Sequence, residues 1–288
     1  MVEFLSVVMP AYNEEAAIEE VVLEYARVLQ QMGSAIPRWE IVVVDDGSTD
    51  RTPDVLQSLS PKVPQLRVVR QQNRGIFGAI TRAYSEARGS HIYSTASDGQ
   101  WPASNVPKMI EALADGVDLV IGVRTNRREV YNPSRRFISF CFNRIAELVF
   151  GVPVRDAGSN KLGRSEVFRI KLVSQSPFFE AERIVRAHRA GFRIGFVPIP
   201  FGQRAGGRST AVNWKNIESS VLDMTRFALS VGLRRQEQTA GELFEKMAAI
   251  PHVVEGEGRS DGYNAVDAAA LHGEGEAAEL GLVEAKHR

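Results

Sequence analysis

Short, almost unbroken apolar runs recur at about residues 4–9, 40–44, 66–69, 91–95 and 118–121, each separated from the next by a stretch with helical periodicity. Continuous rather than alternating hydrophobicity marks strands covered on both faces, so the pattern predicts an α/β fold with a mostly parallel central sheet flanked by helices. Ile18, Val21, Val22, Tyr25, Val28 and Leu29 fall at helical spacing, predicting a first helix that starts near Glu14 and ends before Gly33. Thr52-Pro53-Asp54 reads as a helix start, because threonine can cap, proline suits the first turn and aspartate complements the helix dipole. Residues 76–88 and 105–114 predict two further helices, ending before Gly89 and Gly116.

Beyond residue 122 the pattern changes. Arg124, Arg127, Arg128, Arg135 and Arg136 crowd a proline-containing loop that enters a helix at about 134–150. That helix is apolar around most of its circumference, so it must be largely buried or touch lipid. A strand-like Phe192–Phe201 follows, then the glycine-rich run 203–210, then a last amphipathic helix at 213–233 with Trp214, Ile217, Val221, Met224 and Ala228 on one face. From Gln236 the chain is rich in Glu, Gly and Ala with few aromatics, a composition that reads as largely disordered, with room for short helices. The expected organisation is one domain over 1–235 and a largely disordered tail over 236–288.

Composition narrows the partners. Hydrophobic residues at 44% and charged residues at 24% are globular values, so the body should fold without disulfides or structural metal. A formal net charge of zero gives no reason to expect nucleic acid. The single cysteine, Cys141, lies in an apolar helical stretch and reads as a small buried hydrophobe, which suits a reducing cytosol. No uncharged apolar run approaches the ~18 residues of a spanning helix, so a soluble or peripheral protein is expected.

Chemistry-bearing residues gather at three strand ends. Val7 to Glu15 ends in Pro10-Ala11-Tyr12-Asn13-Glu14; Ile41 to Asp50 delivers Asp45 and Asp46 before the turn residue Gly47; Ser94 to Pro102 is a polar knot around Asp98. In a parallel sheet these ends open on one edge and define one pocket. Asp-Gly-Ser-Thr alone is also an ordinary turn with a helix cap, but such a turn needs neither an aromatic platform nor a second carboxylate beside it. A carboxylate at Asp46 can accept hydrogen bonds from the donor edge of a nucleobase. Asp98 is placed where a divalent cation can bind a diphosphate, and hard oxygen ligands suit Mg²⁺ or Mn²⁺. His91 and His188 have no partners at ligand spacing and read as structural.

Residues from about Phe4 to about Phe227 resemble family 2 glycosyltransferases, specifically the dolichol-phosphate mannose synthases and bacterial polyprenyl-phosphate glycosyltransferases. The resemblance implies a GT-A type domain binding a nucleoside diphosphate sugar. By position, Pro10, Tyr12, Glu14, Val44 and Asp46 would hold the nucleoside, with Ser97, Asp98, Arg204 and Arg208 also on the donor. Asp98 and Gln100 would bind the metal, and Arg124 would sit beside the donor's phosphates or the acceptor. Arg135, Arg136 and Ser139 resemble the cluster that receives a lipid phosphate, and Asp156, Ser159 and Lys161 fall in a segment similar to the family's loop-and-strand element. Two positions depart from the family pattern. Ala96 stands where a first metal-site carboxylate is usual, and Thr210 replaces a usual lysine, for which Arg208 could compensate. A carboxylate lost at ~4 Å from the metal is worth at most a few kcal/mol at an effective dielectric of ~20, so weaker metal affinity is expected.

The expected activity is an inverting, metal-dependent transfer of a hexose to a polyprenyl phosphate at the cytoplasmic membrane face. The helices at 134–150 and 213–233 would lie on the bilayer without spanning it. A phosphate acceptor is already ionised and needs no general base, whereas an alcohol needs one. Glu182 occupies the region where hydroxyl-acceptor members place a catalytic carboxylate, and equally reads as a helix residue paired with Arg186. The rivals are therefore a transferase to a soluble or glycan hydroxyl and, given Ala96 and Thr210, a degenerate nucleotide-sugar-binding domain. A dehydrogenase fits poorly, since no Gly-x-Gly-x-x-Gly follows the first strand.

Overall fold

The computed structural model describes residues 2–113, 116–126, 133–202 and 214–248, with residues 133–137 and 232–248 as backbone only. Contacts divide the chain into Met1–Gln238 and Thr239–Arg288, and the site considered below lies in the first. Among the described residues, seven strands form one sheet: β1 (Phe4–Ala11), β2 (Arg38–Asp45), β3 (Leu66–Arg70), β4 (His91–Ser94), β5 (Leu119–Arg124), β6 (Lys161–Arg164) and β7 (Ile194–Ile199). Their order is β3-β2-β1-β4-β6-β5-β7. Pairing is parallel except around β6, which runs antiparallel to both β4 and β5.

Two cores cover the two faces, which is why the strands carry continuous apolar runs. On one face α1 (Ile18–Gln31), α2 (Thr52–Leu59) and α4 (Asn105–Leu113) bury Ile18, Val22, Leu29, Leu56 and Met109 against Leu5, Val7, Met9 and Ile41. On the other, α3 (Gly75–Glu86), α5 (Pro133–Phe150), α7 (Phe179–Arg189) and α8 (Trp214–Ala248) pack on Val8, Val42, Val44 and Ile92, with α6 (Ser165–Phe168) contributing Val167 and Phe168. Phe150, Phe178 and Phe227 close this second core, with ring centroids 5.1–6.0 Å apart.

Two expectations are corrected, and one strand was not foreseen. Helix α1 begins at Ile18 rather than near Glu14, because residues 12–17 are held as a loop by side chains of the β2 turn. The strand β6 was not legible as an apolar run, since Lys-Leu-Gly-Arg is half polar. Helix α8 continues to Ala248, past the boundary expected at 235, and its inward residues are Ser220, Met224 and Phe227, while Trp214 and Val221 are exposed. The remainder of the expected tail, 249–288, lies outside the described residues.

Candidate active site

Strand β1 pairs with β2 on one side and β4 on the other, so successive connections leave in opposite directions at its carboxyl end. A crevice at such a reversal is where α/β sheets bind ligands. Three loops meet there and are stitched by hydrogen bonds. Asp46 N donates to Ala11 O at 2.9 Å, Asn13 N to Ser48 Oγ at 3.0 Å, and Thr49 N to Asn13 Oδ1 at 2.8 Å. Asn13 adopts the left-handed conformation at φ 56°, which asparagine tolerates better than most residues. The third loop joins through Thr95 N to Val8 O at 3.0 Å and Ser97 Oγ to Pro10 O at 2.7 Å. Tyr12, 47% exposed, stands on this rim as an aromatic platform.

Asp46 is buried, and its Oδ1 accepts from Gln71 Nε2 at 2.7 Å and Arg74 N at 2.9 Å. Its orientation is therefore fixed before any ligand arrives. Neither Gln71 nor Arg74 was singled out from sequence, although the polar run after β3 ends on the same sheet edge. The neighbouring Asp45 turns inward, accepting from Ser48 N at 2.9 Å and pairing with Arg70 Nε at 3.3 Å. Gly47 sits at φ 76°, and a Cβ there would lie 2.9 Å from Asn73 N, so the β2 turn requires glycine.

Beneath the 94–102 loop lies a buried phenol network. Tyr25 Oη contacts Thr95 Oγ1 at 2.9 Å and donates to Trp101 O at 3.1 Å; Asn160 Nδ2 donates to Tyr93 Oη at 2.7 Å and Thr95 Oγ1 at 3.2 Å. Burial pushes the Tyr93 hydroxyl up to about 12 and Tyr25 well above its ordinary value, so both remain neutral pins. Asp98, nearly buried, accepts from Gln100 N at 3.1 Å in a tight turn, with Gly99 at φ 75°. Gln100 Nε2 donates to Gly202 O at 3.3 Å, and Gly202 N returns a bond to Gln100 O at 2.7 Å. Among the described residues no three acidic, His or Cys side chains converge as a metal cluster. One carboxylate and one amide oxygen do suit Mg²⁺ that keeps its waters and takes most other ligands from a diphosphate.

Arg124, at the end of β5, is held by Asp156. Its backbone N donates to Asp156 Oδ2 at 2.9 Å, its Nε to Oδ1 and Oδ2 at 2.9 and 3.0 Å, and its Nη2 also reaches Oδ1. Trp101 and Phe201 flank the guanidinium, with ring centroids 5.5 and 5.2 Å from Cζ. Asn126 clamps Phe201 from the side, accepting from Phe201 N at 3.2 Å and donating to Phe201 O at 2.7 Å. The arginine is thus joined to the Asp98 loop through Trp101.

The profile described as Glycosyl transferase family 2 matches residues 6–170, more than half of the chain. The chain belongs to glycosyl transferase family 2. A dolichyl-phosphate hexose transferase of Haloferax volcanii is 31% identical over 204 residues, 70% of this chain and 84% of that protein. A dolichol-phosphate mannosyltransferase of Pyrococcus furiosus is 38% identical over 120 residues, 42% of this chain and 33% of its relative. An undecaprenyl-phosphate 4-deoxy-4-formamido-L-arabinose transferase of Pseudomonas paraeruginosa is 33% identical over 54% of this chain, and the match spans 45% of that longer protein. Among solved structures, glucosyl-3-phosphoglycerate synthase from Mycobacterium tuberculosis, in complex with Mn²⁺, UDP and phosphoglyceric acid, superposes with TM-score 0.60. It is 20% identical over 78% of each chain, a likeness of fold alone. The fold is GT-A, as expected from the sequence.

In this family 2 member, Pro10, Tyr12, Glu14, Asp46, Ser97, Asp98, Gln100 and Arg124 all come from segments meeting at the β1–β4 edge. Val44 differs, since its side chain is fully buried in the second core and only its backbone reaches the edge. Ser97 uses its hydroxyl on Pro10 O, so it braces the rim. Glu182 has no exposed surface: its carboxylate accepts from Val173 N at 3.0 Å, Ser174 N at 2.9 Å and Arg186 Nε at 2.6 Å. That is the helix-pair alternative, and the reading as a base meeting a hydroxyl is corrected by it. Ser139 is half-buried on α5; Arg135 and Arg136 lie on the same helix, their side chains outside the described residues. Arg204, Arg208 and Thr210 lie outside the described residues. Cys141 is half-buried rather than core.

Proposed function

We propose that this chain transfers a hexose from a nucleoside diphosphate sugar to a polyprenyl phosphate, with inversion and with Mg²⁺ or Mn²⁺ bound at Asp98. The observation that carries this reading is the single stitched rim on which Tyr12, Asp46 and Asp98 converge. Tyr12 and Asp46 would take the nucleoside, the ring stacking and the carboxylate accepting from the base. Asp98 and Gln100 would hold the cation, which when bound neutralises charge that develops on the departing diphosphate. Arg124, fixed by Asp156, would add guanidinium charge beside it, and Arg204 and Arg208 are assigned to the same phosphates.

The burial of Glu182 favours a phosphate acceptor over an alcohol, because a phosphate oxygen attacks without a general base. Arg135, Arg136 and Ser139 would receive that phosphate, since forked guanidinium groups match its oxygens. Their helix supports a lipid neighbour: Phe140, Ile145, Leu148 and Val149 are 46–77% exposed on α5, and Leu222, Leu229 and Trp214 are 49–79% exposed on α8. Exposed apolar area of this kind suits contact with a bilayer surface at the cytoplasmic face. No helix among the described residues is long and apolar enough to cross a membrane. The relatives whose names include dolichyl, dolichol and undecaprenyl phosphates support the same acceptor class.

The test is transfer of radiolabelled hexose into the organic phase, measured with and without polyprenyl phosphate across GDP, UDP, dTDP and CDP sugars. Label in the organic phase that depends on the lipid phosphate is expected. Label appearing only on soluble hydroxyl acceptors would overturn the acceptor, and binding of every donor without turnover would overturn the activity.

A further inference from the structure

Lys161 is a charged group that the proposed chemistry does not use. It opens β6 opposite Ser94 of β4 and Ile121 of β5, in the interior of the sheet, and its side chain is 2% exposed. Burial lowers its pKa, and the neighbouring Glu180 carboxylate works to restore it. A buried ammonium is retained only where it is paired and hydrogen-bonded. Its Nζ lies 2.7 Å from Glu180 Oε2 as a buried ion pair, and it also donates to Ala157 O and, at 3.0 Å, Ser159 O.

Those two carbonyls belong to the turn that presents Asp156. The turn is closed by Ser159 N donating to Asp156 O at 2.9 Å, and it holds Asp156 at φ 51°, a sparsely populated region for a residue other than glycine. Such a conformation persists only when the surroundings over-determine it, and it clusters at functional sites. A satisfied core lysine would explain the ion pair, but not why both carbonyls it holds lie one and three residues after the left-handed residue that grips Arg124, inside the turn that residue opens. Glu180 anchors the arrangement from the first turn of α7.

We propose that Lys161 and Glu180 are positioning residues for Arg124: the ammonium pins the 156–159 turn, the turn fixes the Asp156 carboxylate, and the carboxylate aims the guanidinium. The order of action is Glu180 to Lys161 to Asp156 to Arg124, with no contact between Lys161 and substrate. The consequence for transfer rests on the function proposed above; the geometry does not.

The geometry is read by NMR of the arginine side-chain Nε–H, with the Arg124 signal assigned by its loss in Arg124→Lys. In Lys161→Met, which keeps apolar length and removes the charge and donors, the Arg124 Nε–H signal should shift and its exchange with solvent rise about tenfold or more as the clamp opens. Amide signals of β1 to β3 should stay in place. If Lys161→Met does not fold, Glu180→Gln is measured instead, with a change in the same direction. An unshifted Arg124 signal with unchanged exchange in either folded variant overturns the proposal, whatever the activity. In transfer assays, Lys161→Met should lower kcat with little change in donor KM, and in an Arg124→Gln background it should cost less than about twofold more, the coupling expected of residues acting through one another. Independent, multiplicative losses would also overturn it.

Discussion

Replacing Asp156 with asparagine removes one negative charge while keeping the size of the side chain and its tolerance of the left-handed backbone. The carboxylate is 1% exposed and its partner Arg124 11%, so the pair is little screened by water. Breaking a buried ion pair by removing one member typically costs about 3–5 kcal/mol, and asparagine retains one acceptor oxygen, which places the expected loss near about 3 kcal/mol. At about 2–4 °C per kcal/mol for a domain of this size, Tm should fall by about 6–12 °C. Urea unfolding followed by circular dichroism measures the free energy, and a thermal scan measures Tm. Asp156→Gly serves as the control for backbone strain, because glycine accepts φ 51° freely; its loss combines the missing carboxylate with about 1 kcal/mol of added unfolded-chain entropy. A loss below about 1 kcal/mol in Asp156→Asn, the level of an exposed pair, would refute the reasoning that this turn is a buried clamp.

Asp98→Ala is expected to abolish hexose transfer, and EDTA to stop the wild type; full rate in both would discredit the cation role. Glu182→Gln should lower stability while leaving kcat within about twofold in whatever fraction folds, since the group is buried and acts only on Val173, Ser174 and Arg186; loss of transfer with unchanged stability would restore the base. Gly47→Ala should destabilise by more than the ~1 kcal/mol usual for a point change and weaken nucleotide binding, read by urea unfolding and calorimetry, because its Cβ would meet Asn73 N at 2.9 Å. The Arg67 hydrogen bond, with help from Arg82, holds the Glu86 carboxyl below its usual range against the opposing effect of burial. Its folded value is depressed, so its stabilisation is present above the unfolded value of about 4.3 and is lost as pH falls through the folded value. Tm of wild type and Glu86→Gln, separate near neutral pH, should converge in that acid window; parallel curves would count against it.

How much of the site the chain disclosed depended on whether its residues lay next to one another. Asp46, Asp98 and Tyr12 were legible because each follows an apolar strand directly and a parallel sheet turns all such ends to one edge. Gln71 and Arg74, which orient Asp46, belong to the end of β3 and carry no motif of their own. Lys161 read as part of the family's loop-and-strand element, and only its burial shows that it faces inward. Glu182 had two equal readings because spacing to Arg186 is the same whether the carboxylate is wet or dry; the backbone N–H groups of Val173 and Ser174 decided between them.

The order of strands and helices as far as β5, the turn at Gly47 and the polar knot around Asp98 were determined by the sequence itself, because hydrophobic period and turn chemistry are local properties read residue by residue. Tertiary structure alone decided that β6 runs antiparallel between β4 and β5, which brings Asp156 against Arg124 and sets Lys161 beneath the turn that holds it. It also decided which carboxylates meet solvent. The physical reason is that burial, ion pairing and a strained backbone are sums over neighbours far apart in the chain, and no spacing along the sequence encodes which of them will meet.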